Sequence, residues 1–398
     1  MSKIYTPHPD FGPTRPVTKE QLDAILEAPV LHLEKLTSPI IIESMELLFN
    51  NGMYYVRTRT KCGLTGIAPT NDRVAWCYPI LNELVIPYFI GKDARDLEKL
   101  IEGVYVYKSN YKLAGLPFWC SVAFVELSIL DLLGKALNVP MAQLFGPRIR
   151  DKVDIYVASG NRGTTPEEEL DILADWVNET KAKAIKFKIG GRMSKNADSI
   201  AGRSESLIYL TRKYFGDDMI IHADGNGSYD AKEAIRYGHI LEDINAYFYE
   251  EPCPFDDLWE TRDAAKGLTI PMAFGEQETS LRRFEWIIQK DAARIVQPDI
   301  LYHGGMIRTV KVAKMAELAG KTITPHISGG FCFVYVLHLA SFTPNLGSYQ
   351  EHKRGIPESN ELLGGILTLK DGSINIPDTP GLGIDHTLPV FKHAIKIK

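Results

Sequence analysis

Three carboxylates stand at equal intervals in the chain, and each one closes a short apolar run. They are Asp224, Glu250 and Glu276, and successive members are 26 positions apart. One strand and one helix fill such an interval, and in a (β/α) barrel the strands deliver their last side chains to one rim. We therefore expect the three acids to converge, rather than to be unrelated solvated groups. Oxygen ligands without nearby Cys or His favour Mg²⁺ over Zn²⁺.

A pair of lysines lies in the strand-like segment 184–190, which reads AIKFKIG. Side chains two residues apart on a strand share one face, so Lys186 and Lys188 are expected to face the barrel interior together. Two buried ammonium groups are costly unless carboxylates or a metal site lie beside them. Their mutual repulsion is expected to lower the pKa of at least one lysine towards that of a general base. The alternative is a pair that extends into solvent from the strand end.

A histidine and an aspartate end two consecutive strand-like segments. The segment 322–327 reads TITPHI and ends near His326, and the preceding segment 294–299 reads RIVQPD and ends at Asp299. A carboxylate that accepts a hydrogen bond from one imidazole nitrogen fixes the tautomer and raises the basicity of the other nitrogen. His326 is therefore a candidate acid or base, although a lone histidine is more often structural.

Further polar residues surround these candidates. The segment 347–352 reads GSYQEH in the place of the last strand, and Glu351 could balance charge on a substrate oxygen. Asn226 follows the first spaced acid by two residues and is a candidate for substrate binding. Lys353 and Arg354 form a type of basic pair that is usually solvated, though either could meet a second carboxylate of a substrate.

Strand-like and helix-like segments alternate from residue 152 onward, and this alternation must position the candidates. It predicts a parallel sheet, and the number of units predicts closure into a barrel within residues 151–350. The strands are expected near residues 153, 184, 219, 246, 271, 294 and 322.

A different pattern precedes the barrel. Strand-like runs at 30–36 and 53–60 are followed by helical periodicity over 74–144, including an apolar helix at 121–137. Residues 30–150 are thus expected to form a separate α+β domain.

The two ends of the chain differ from both regions. Residues 1–29 are expected to be an extension in which Thr18 and Gln21 form a capping box before a helix. The segment 351–398 is expected to return to the N-terminal domain after a hairpin turning at Asp371-Gly372.

Composition limits the kinds of partner that the protein is expected to bind. The 398 residues include 45 basic and 50 acidic side chains, for a net charge of −5, which argues against nucleic acid or an anionic membrane as the main partner. We find no uninterrupted apolar run of about 20 residues and no basic segment leading into one, so a soluble, unexported protein is expected. The five scattered cysteines lack CxxC spacing, which predicts reduced thiols in a cytoplasm and no zinc site.

Several short motifs together resemble the enolase superfamily and, within it, the mandelate racemase and muconate lactonizing group. The apolar segment 122–146 also resembles the part of that family that joins its two domains. The motifs are KFK at 186–188, DGN at 224–226, EEP at 250–252, GEQ at 275–277, QPD at 297–299 and the strand leading to His326.

The resemblance assigns roles to the candidates. It implies that the three spaced acids bind Mg²⁺, that Lys188 is one base and that Lys186 tunes it. It also implies that Asp299 with His326 is the opposing acid or base, and that Glu351 is the acid that stabilises the enolate. The implied fold is α/β, a modified (β/α)8-type TIM barrel of the (β/α)7β form with an α+β N-terminal capping domain. Two capping loops, roughly 36–44 and 61–73, are implied to close over the barrel mouth.

The implied reaction is removal of the proton alpha to a carboxylate, with formation of an enediolate. Loss of a β-hydroxyl would then convert an acid sugar, either an aldonate or an aldarate, into a 2-keto-3-deoxy sugar acid. Racemisation or epimerisation is the alternative, and a non-catalytic Mg²⁺-binding scaffold is an alternative of another class. The resemblance further implies a small carboxylate substrate and an even-numbered homo-oligomer.

Overall fold

Two sheets organise the chain in the computed structural model, which describes residues 5–398. The strands are β1 (Ile42–Asn50), β2 (Met53–Thr60), β3 (Thr65–Pro69), β4 (Lys152–Ala158), β5 (Ala184–Lys188), β6 (Ile220–Asp224), β7 (Phe248–Glu250), β8 (Met272–Phe274), β9 (Ile295–Val296), β10 (Thr322–Ile323), β11 (Tyr349–His352), β12 (Leu369–Lys370), β13 (Ser373–Asn375) and β14 (Ile395–Lys396). The helices are α1 (Lys19–Glu27), α2 (Val74–Ile80), α3 (Ile86–Phe89), α4 (Leu97–Val106), α5 (Leu116–Leu137), α6 (Pro166–Thr180), α7 (Arg203–Phe215), α8 (Ala231–Asp243), α9 (Leu258–Lys266), α10 (Leu281–Gln289), α11 (Met306–Leu318), α12 (Phe333–Phe342) and α13 (Ile356–Leu362).

The smaller sheet has four antiparallel strands in the order β14-β1-β2-β3. Asn51 and Gly52 connect β1 to β2, and both have positive φ, 47° and 80°. This conformation gives the tight two-residue turn for which Asn-Gly is favoured. Because β14 comes from the end of the chain, the C-terminal residues pair with β1 as its second neighbour.

Helix α5 packs against β2 and β3. Most of its 22 residues are apolar and residues 118–134 are all buried, as expected for a helix that is covered on all sides. It is long and apolar enough to cross a membrane by composition, yet 89% of its most apolar window is buried inside the protein. Asn138, in a left-handed conformation with φ of 56°, ends it. The helix is thus the core of this part of the fold, and the predicted helical region 74–144 is confirmed.

The predicted strand at 30–36 is wrong, because the structure has no strand there and the first one begins at Ile42. The backbone N–H groups of Val30 and Leu31 both donate to the Glu98 carboxylate, at 2.9 and 2.7 Å. The N–H of His32 donates to the Leu144 carbonyl at 2.8 Å. A side chain and a carbonyl outside any strand thus satisfy backbone donors that a strand would pair with a neighbouring strand.

Seven strands of the larger sheet, β4 to β10, lie side by side in chain order and are all parallel. Strand β11 pairs in parallel with the outer side of β4. A parallel bridge between Ile323 and Leu346 links β10 to the segment that leads into β11. The predicted parallel α/β sheet is therefore confirmed, and all seven predicted strands are present near the expected positions.

The predicted hairpin after residue 350 is also confirmed. Strands β12 and β13 pair in antiparallel register, and Asp371 and Gly372 between them have φ of 48° and 75°. The hairpin adds to the larger sheet through β4, whereas β14 adds to the smaller one. The division of the chain at residues 30, 151 and 351 stays a prediction.

The segment before α1 crosses the amino-terminal ends of strands in the larger sheet. Phe11 packs against a buried cluster that includes Tyr247, which lies just before β7, and Ile295, which lies within β9. Asp10 accepts hydrogen bonds from the hydroxyls of Tyr247, at 2.6 Å, and Ser348, at 2.5 Å. The predicted capping box at the start of α1 is present. Residues 1–4 of the predicted extension lie outside the described residues.

Replacing Phe11 by alanine is expected to lower the free energy of unfolding by about 2 kcal/mol. This is less than a fully buried phenylalanine contributes, because the Phe11 ring is partly exposed. Urea unfolding followed by circular dichroism measures the change. Phe255→Ala is the matched control, since that ring is 37% exposed and its loss should matter little. Equal unfolding midpoints for the two variants would show that the segment does not stabilise the sheet.

Candidate active site

The three spaced acids meet at the carboxyl ends of adjacent strands. Asp224 is the last residue of β6, Glu250 is the last of β7, and the two are register partners. Glu276 lies two residues beyond β8. One carboxylate oxygen of each residue lies within 4.8 Å of those of the other two, and all three side chains are buried. The convergence expected from the spacing is therefore present in the fold.

This cluster suits a hard cation. Burial is the largest effect on Glu250, and together with the neighbouring Asp224 it raises the pKa of Glu250 to about 8 despite the opposing effect of Lys186. Burial, together with the neighbouring Glu276, also raises the pKa of Glu251 well above its usual value. Buried carboxylates in this number are costly without a compensating charge. Three convergent carboxylate oxygens form the kind of donor set that Mg²⁺ prefers.

Both lysines of β5 are buried and face the acids. Lys188 forms an ion pair with Asp224. The Lys186 Nζ lies 2.5 Å from Glu250 Oε1 and 2.9 Å from Glu351 Oε1. It also lies 5.3 Å from the centre of the Tyr156 ring. The expectation that both side chains share the inner face is met.

Lys186 is not a lysine whose pKa is lowered towards that of a general base. Burial lowers the pKa of this lysine, but Glu250 and Glu351 outweigh burial and hold the pKa well above its usual value. Two lysines side by side would repel each other, but the fold surrounds Lys186 with acids. Lys186 therefore stays an ammonium group.

The histidine and the aspartate form the expected pair, each three residues beyond the end of its strand, β10 or β9. His326 Nδ1 lies 2.8 Å from Asp299 Oδ2. The Asp299 carboxylate also accepts hydrogen bonds from the backbone N–H groups of Leu301 and Tyr302, at 2.9 and 3.0 Å, which fix its orientation. With Nδ1 held by Asp299, Nε2 points towards Glu276, 3.4 Å away. Burial lowers the pKa of His326, but Glu276 and other acids raise it above its usual value overall.

Glu351 connects the two sides of the site. One of its oxygens contacts Lys186, and the other lies 3.2 Å from Lys353 Nζ and 3.8 Å from His326 Nε2. Burial raises the pKa of Glu351, but Lys186 and Lys353 lower it well below the usual range. The carboxylate is therefore charged, with positive neighbours on both sides.

Three further residues contact the candidates. Lys353, for which the sequence left open a solvated position or contact with a second carboxylate of a substrate, places Nζ 2.8 Å from His326 Nε2 and 2.8 Å from the carbonyl oxygen of Ile327. Gln297 donates to Glu250 Oε2 at 2.8 Å. Arg162 donates to the side chain of Asn226 at 2.7 Å. The QPD motif was the only signal for Gln297, and no local pattern marked Arg162.

Asn226, predicted to bind substrate, is engaged by the protein. Its backbone N–H donates to Asp224 Oδ1 at 2.8 Å, and its side-chain amide donates to Asp224 Oδ2 at 3.3 Å. These hydrogen bonds orient the first acid of the cluster. The assignment of Asn226 to substrate stays a prediction.

A cavity of about 330 Å³ opens beside these groups. Four of the candidate residues line it, together with polar and aromatic residues. The lining residues are Ala158, Ser159, Gly160, Asn161, Ile172, Trp176, Lys188, Arg192, Glu276, His326, Glu351, Lys353 and Arg354.

One of the two expected capping loops contacts the rim of the site. At its end, the Asn71 amide donates to Ser328 at 2.8 Å and the Arg73 guanidinium donates to the Tyr302 hydroxyl at 3.2 Å. In the other loop, the carbonyls of residues 36 and 37 accept hydrogen bonds from Arg95 within the N-terminal part of the fold.

The chain is similar to known proteins in sequence. Residues 168–388 match the family model described as enolase C-terminal domain-like. The chain is 28% identical over 309 residues to the arabinonate dehydratase of Saccharolobus solfataricus, covering 76% of this chain and 79% of that protein. It is 29% identical over 296 residues to the L-talarate/galactarate dehydratase of Salmonella typhimurium, covering 74% of this chain and 70% of that protein.

A solved structure agrees with the fold. The mandelate racemase/muconate lactonizing protein from Paracoccus denitrificans, in complex with magnesium, superimposes with a TM-score of 0.83 at 23% identity. The alignment covers 90% of this chain and 99% of that one. The family match, which includes the three acids, Asp299 and His326, and the agreement in fold lead to one conclusion: the chain belongs to the enolase superfamily.

Proposed function

We propose that the protein is a Mg²⁺-dependent dehydratase that converts an acid sugar into a 2-keto-3-deoxy sugar acid. One observation carries the proposal: the buried acid cluster has Lys188 beside Asp224 and the Asp299–His326 pair beside Glu276. A base and an acid are thus available at different edges of one site. The relatives named as sugar-acid dehydratases support the substrate class.

We also infer that the eight parallel strands close as a (β/α)7β barrel. The pairing of β11 with β4 and the bridge between Ile323 and Leu346 support closure. In such a barrel all the candidate side chains reach the carboxyl-terminal rim, where catalysis occurs in this architecture.

The proposed reaction begins with proton transfer. Asp224, Glu250 and Glu276 would hold Mg²⁺, which supplies positive charge beside the substrate carboxylate when it is bound. Lys188 accepts the α-proton of the substrate, and the electrons of the C–H bond move into the carboxylate to give an enediolate. Lys186 lies between Glu250 and Glu351 as an ammonium group and stabilises the negative charge of the enediolate.

The second step expels the β-hydroxyl. His326, oriented by Asp299, donates a proton to the leaving oxygen as the C–O bond breaks, so that water departs. The resulting enol takes up a proton at carbon 3 and becomes the 2-keto-3-deoxy product. The same two groups could instead remove and return the α-proton, which would racemise or epimerise a substrate without a suitable hydroxyl.

A non-catalytic scaffold is disfavoured by the presence of Lys188 and of the Asp299–His326 pair. A scaffold needs the acids but has no use for Lys188 or for a histidine held by an aspartate. Both are present, and both line the cavity or contact its lining.

The test is incubation with Mg²⁺ and a library of aldonic, aldaric and uronic acids in D₂O, followed by proton NMR and a keto-acid assay. Keto-acid formation is expected and would identify the substrate. Deuterium at the α-carbon without keto acid would establish the racemase or epimerase instead. No exchange and no product with any acid would contradict the proposed function and favour the scaffold.

A further inference from the structure

Arginines follow three strands that are adjacent in the larger sheet. Strand β4 lies between β11 and β5, and the loops after these strands carry Arg162, Arg354 and Arg192. Arg192 and Arg354 line the cavity together with His326. The acid cluster belongs to the next three strands of the same sheet, β6 to β8. Arg192 and Arg354 therefore line the same cavity as Glu276 of the acid cluster.

The arginines contact neutral protein groups. Arg162 and Arg192 both donate to the amide oxygen of Asn226, at 2.7 and 3.4 Å. The Arg354 guanidinium lies 5.0 Å from the centre of the Trp176 ring. The Nε of Arg162 is buried without a hydrogen-bond partner among the residues that the structure describes. These guanidinium groups retain donors for an anion.

Two acids of the site are already paired with lysines. Asp224 pairs with Lys188, and Glu351 pairs with Lys186 and Lys353. The positive charge of the arginines is therefore not needed to balance these two protein acids. Guanidinium groups bind carboxylates and phosphates through paired hydrogen bonds, so an anionic ligand fits them.

The loop that carries Arg192 is held in an unfavourable conformation. Arg192 and Met193 have φ of 62° and 49°, a left-handed region that such residues seldom adopt. The N–H of Arg192 donates to Ser228 Oγ at 3.0 Å, and the N–H of Met193 donates to the Asn226 carbonyl at 3.0 Å. The loop after β6 thus fixes the position of Arg192, and strain of this kind is often found at ligand sites.

We propose that the substrate carries a second anionic group at the end remote from the reacting carbon, and that Arg192 and Arg354 bind this group. Arg162 acts as a positioning residue, because it holds the Asn226 amide that Arg192 also contacts. This inference rests on the proposed function and narrows its substrate class. The acid sugar is a dianion, either an aldarate or an aldonate phosphorylated at its far end, rather than a simple aldonate.

The experiment compares three ligands of one stereochemical series: the aldonate, the aldarate and the terminally phosphorylated aldonate. Binding is measured by calorimetry with Mg²⁺, and KM and kcat are measured by the keto-acid assay. We expect the wild-type protein to bind a dianion at least about tenfold more tightly than the aldonate. The Arg192→Gln/Arg354→Gln variant should weaken dianion binding by about 10 to 100-fold and change aldonate binding less than about twofold. Arg236→Gln is the control, because that arginine forms exposed ion pairs on the outside of α8.

The outcomes separate the two proposals. Tighter binding of the aldarate or of the phosphate ester, lost in the double variant, supports the inference and identifies the anion. If the dianions bind no better than the aldonate, or the double variant weakens all three ligands equally, the inference is overturned. Arginine-dependent dianion binding without turnover of any acid sugar would support the inference and contradict the proposed dehydratase. Turnover of aldonates without tighter binding of the dianions would support the proposed dehydratase and contradict the inference.

Discussion

Replacing Lys188 by alanine is expected to reduce kcat for α-proton removal by about 10² to 10⁴-fold, the usual contribution of a positioned general base. Lys188 ends β5 and contacts Asp224 at the edge of the cavity, so its loss removes the proton acceptor. The measurement is the rate of α-deuterium incorporation in D₂O, together with keto-acid formation. Lys183→Ala is the matched control, because Lys183 lies just before the same strand and is exposed.

His326→Asn is expected to separate the two steps of the reaction. The variant should retain α-proton exchange, because Lys188 is intact. Its rate of keto-acid formation should fall by about 10² to 10⁴-fold, because the leaving hydroxyl has no proton donor. A variant that lost exchange while Lys188→Ala retained it would reverse the two assignments. If neither substitution changed turnover, both roles would be wrong.

Removing Mg²⁺ with a chelator is expected to abolish turnover and to lower the thermal unfolding midpoint, and adding Mg²⁺ should restore both. The cause is the cluster of three buried carboxylates, whose oxygens lie within 4.8 Å of one another. A ligand that binds only the folded state adds about 2.7 kcal/mol of stability at 100 times its Kd. Differential scanning fluorimetry across a Mg²⁺ titration measures the effect.

The variant Glu250→Gln makes this prediction specific. It replaces one of the three carboxylates by a neutral amide, so the Mg²⁺-dependent shift in midpoint should disappear together with the activity. Glu278→Gln is the control, because Glu278 is also buried but bonds to Ser280 and Arg283 outside the cluster. A Mg²⁺-dependent shift of equal size in both variants would place the ion elsewhere.

Much of the site could be predicted from local patterns. An apolar run that ends in an acid identifies a strand end, and equal spacing of Asp224, Glu250 and Glu276 predicts one rim, because each strand-helix unit repeats the same geometry. The period of two residues in a strand placed Lys186 and Lys188 on one face. Similar local rules predicted the capping box at Thr18 and the turn at Asp371-Gly372. The motifs around these residues were sufficient for the predicted superfamily, which is confirmed.

Tertiary structure decided the features that depend on contacts between distant residues. The direction of the Lys186 pKa shift followed from Glu250 and Glu351, 64 and 165 positions further along the chain. Local sequence likewise could not predict that Lys353 would contact His326, or that Phe11 would pack beneath the strands. The strand expected at 30–36 is absent because Glu98 satisfies its backbone donors. Periodicity and turn chemistry are local and can be predicted from the chain, whereas electrostatic environment and packing partners are set only when the strands assemble.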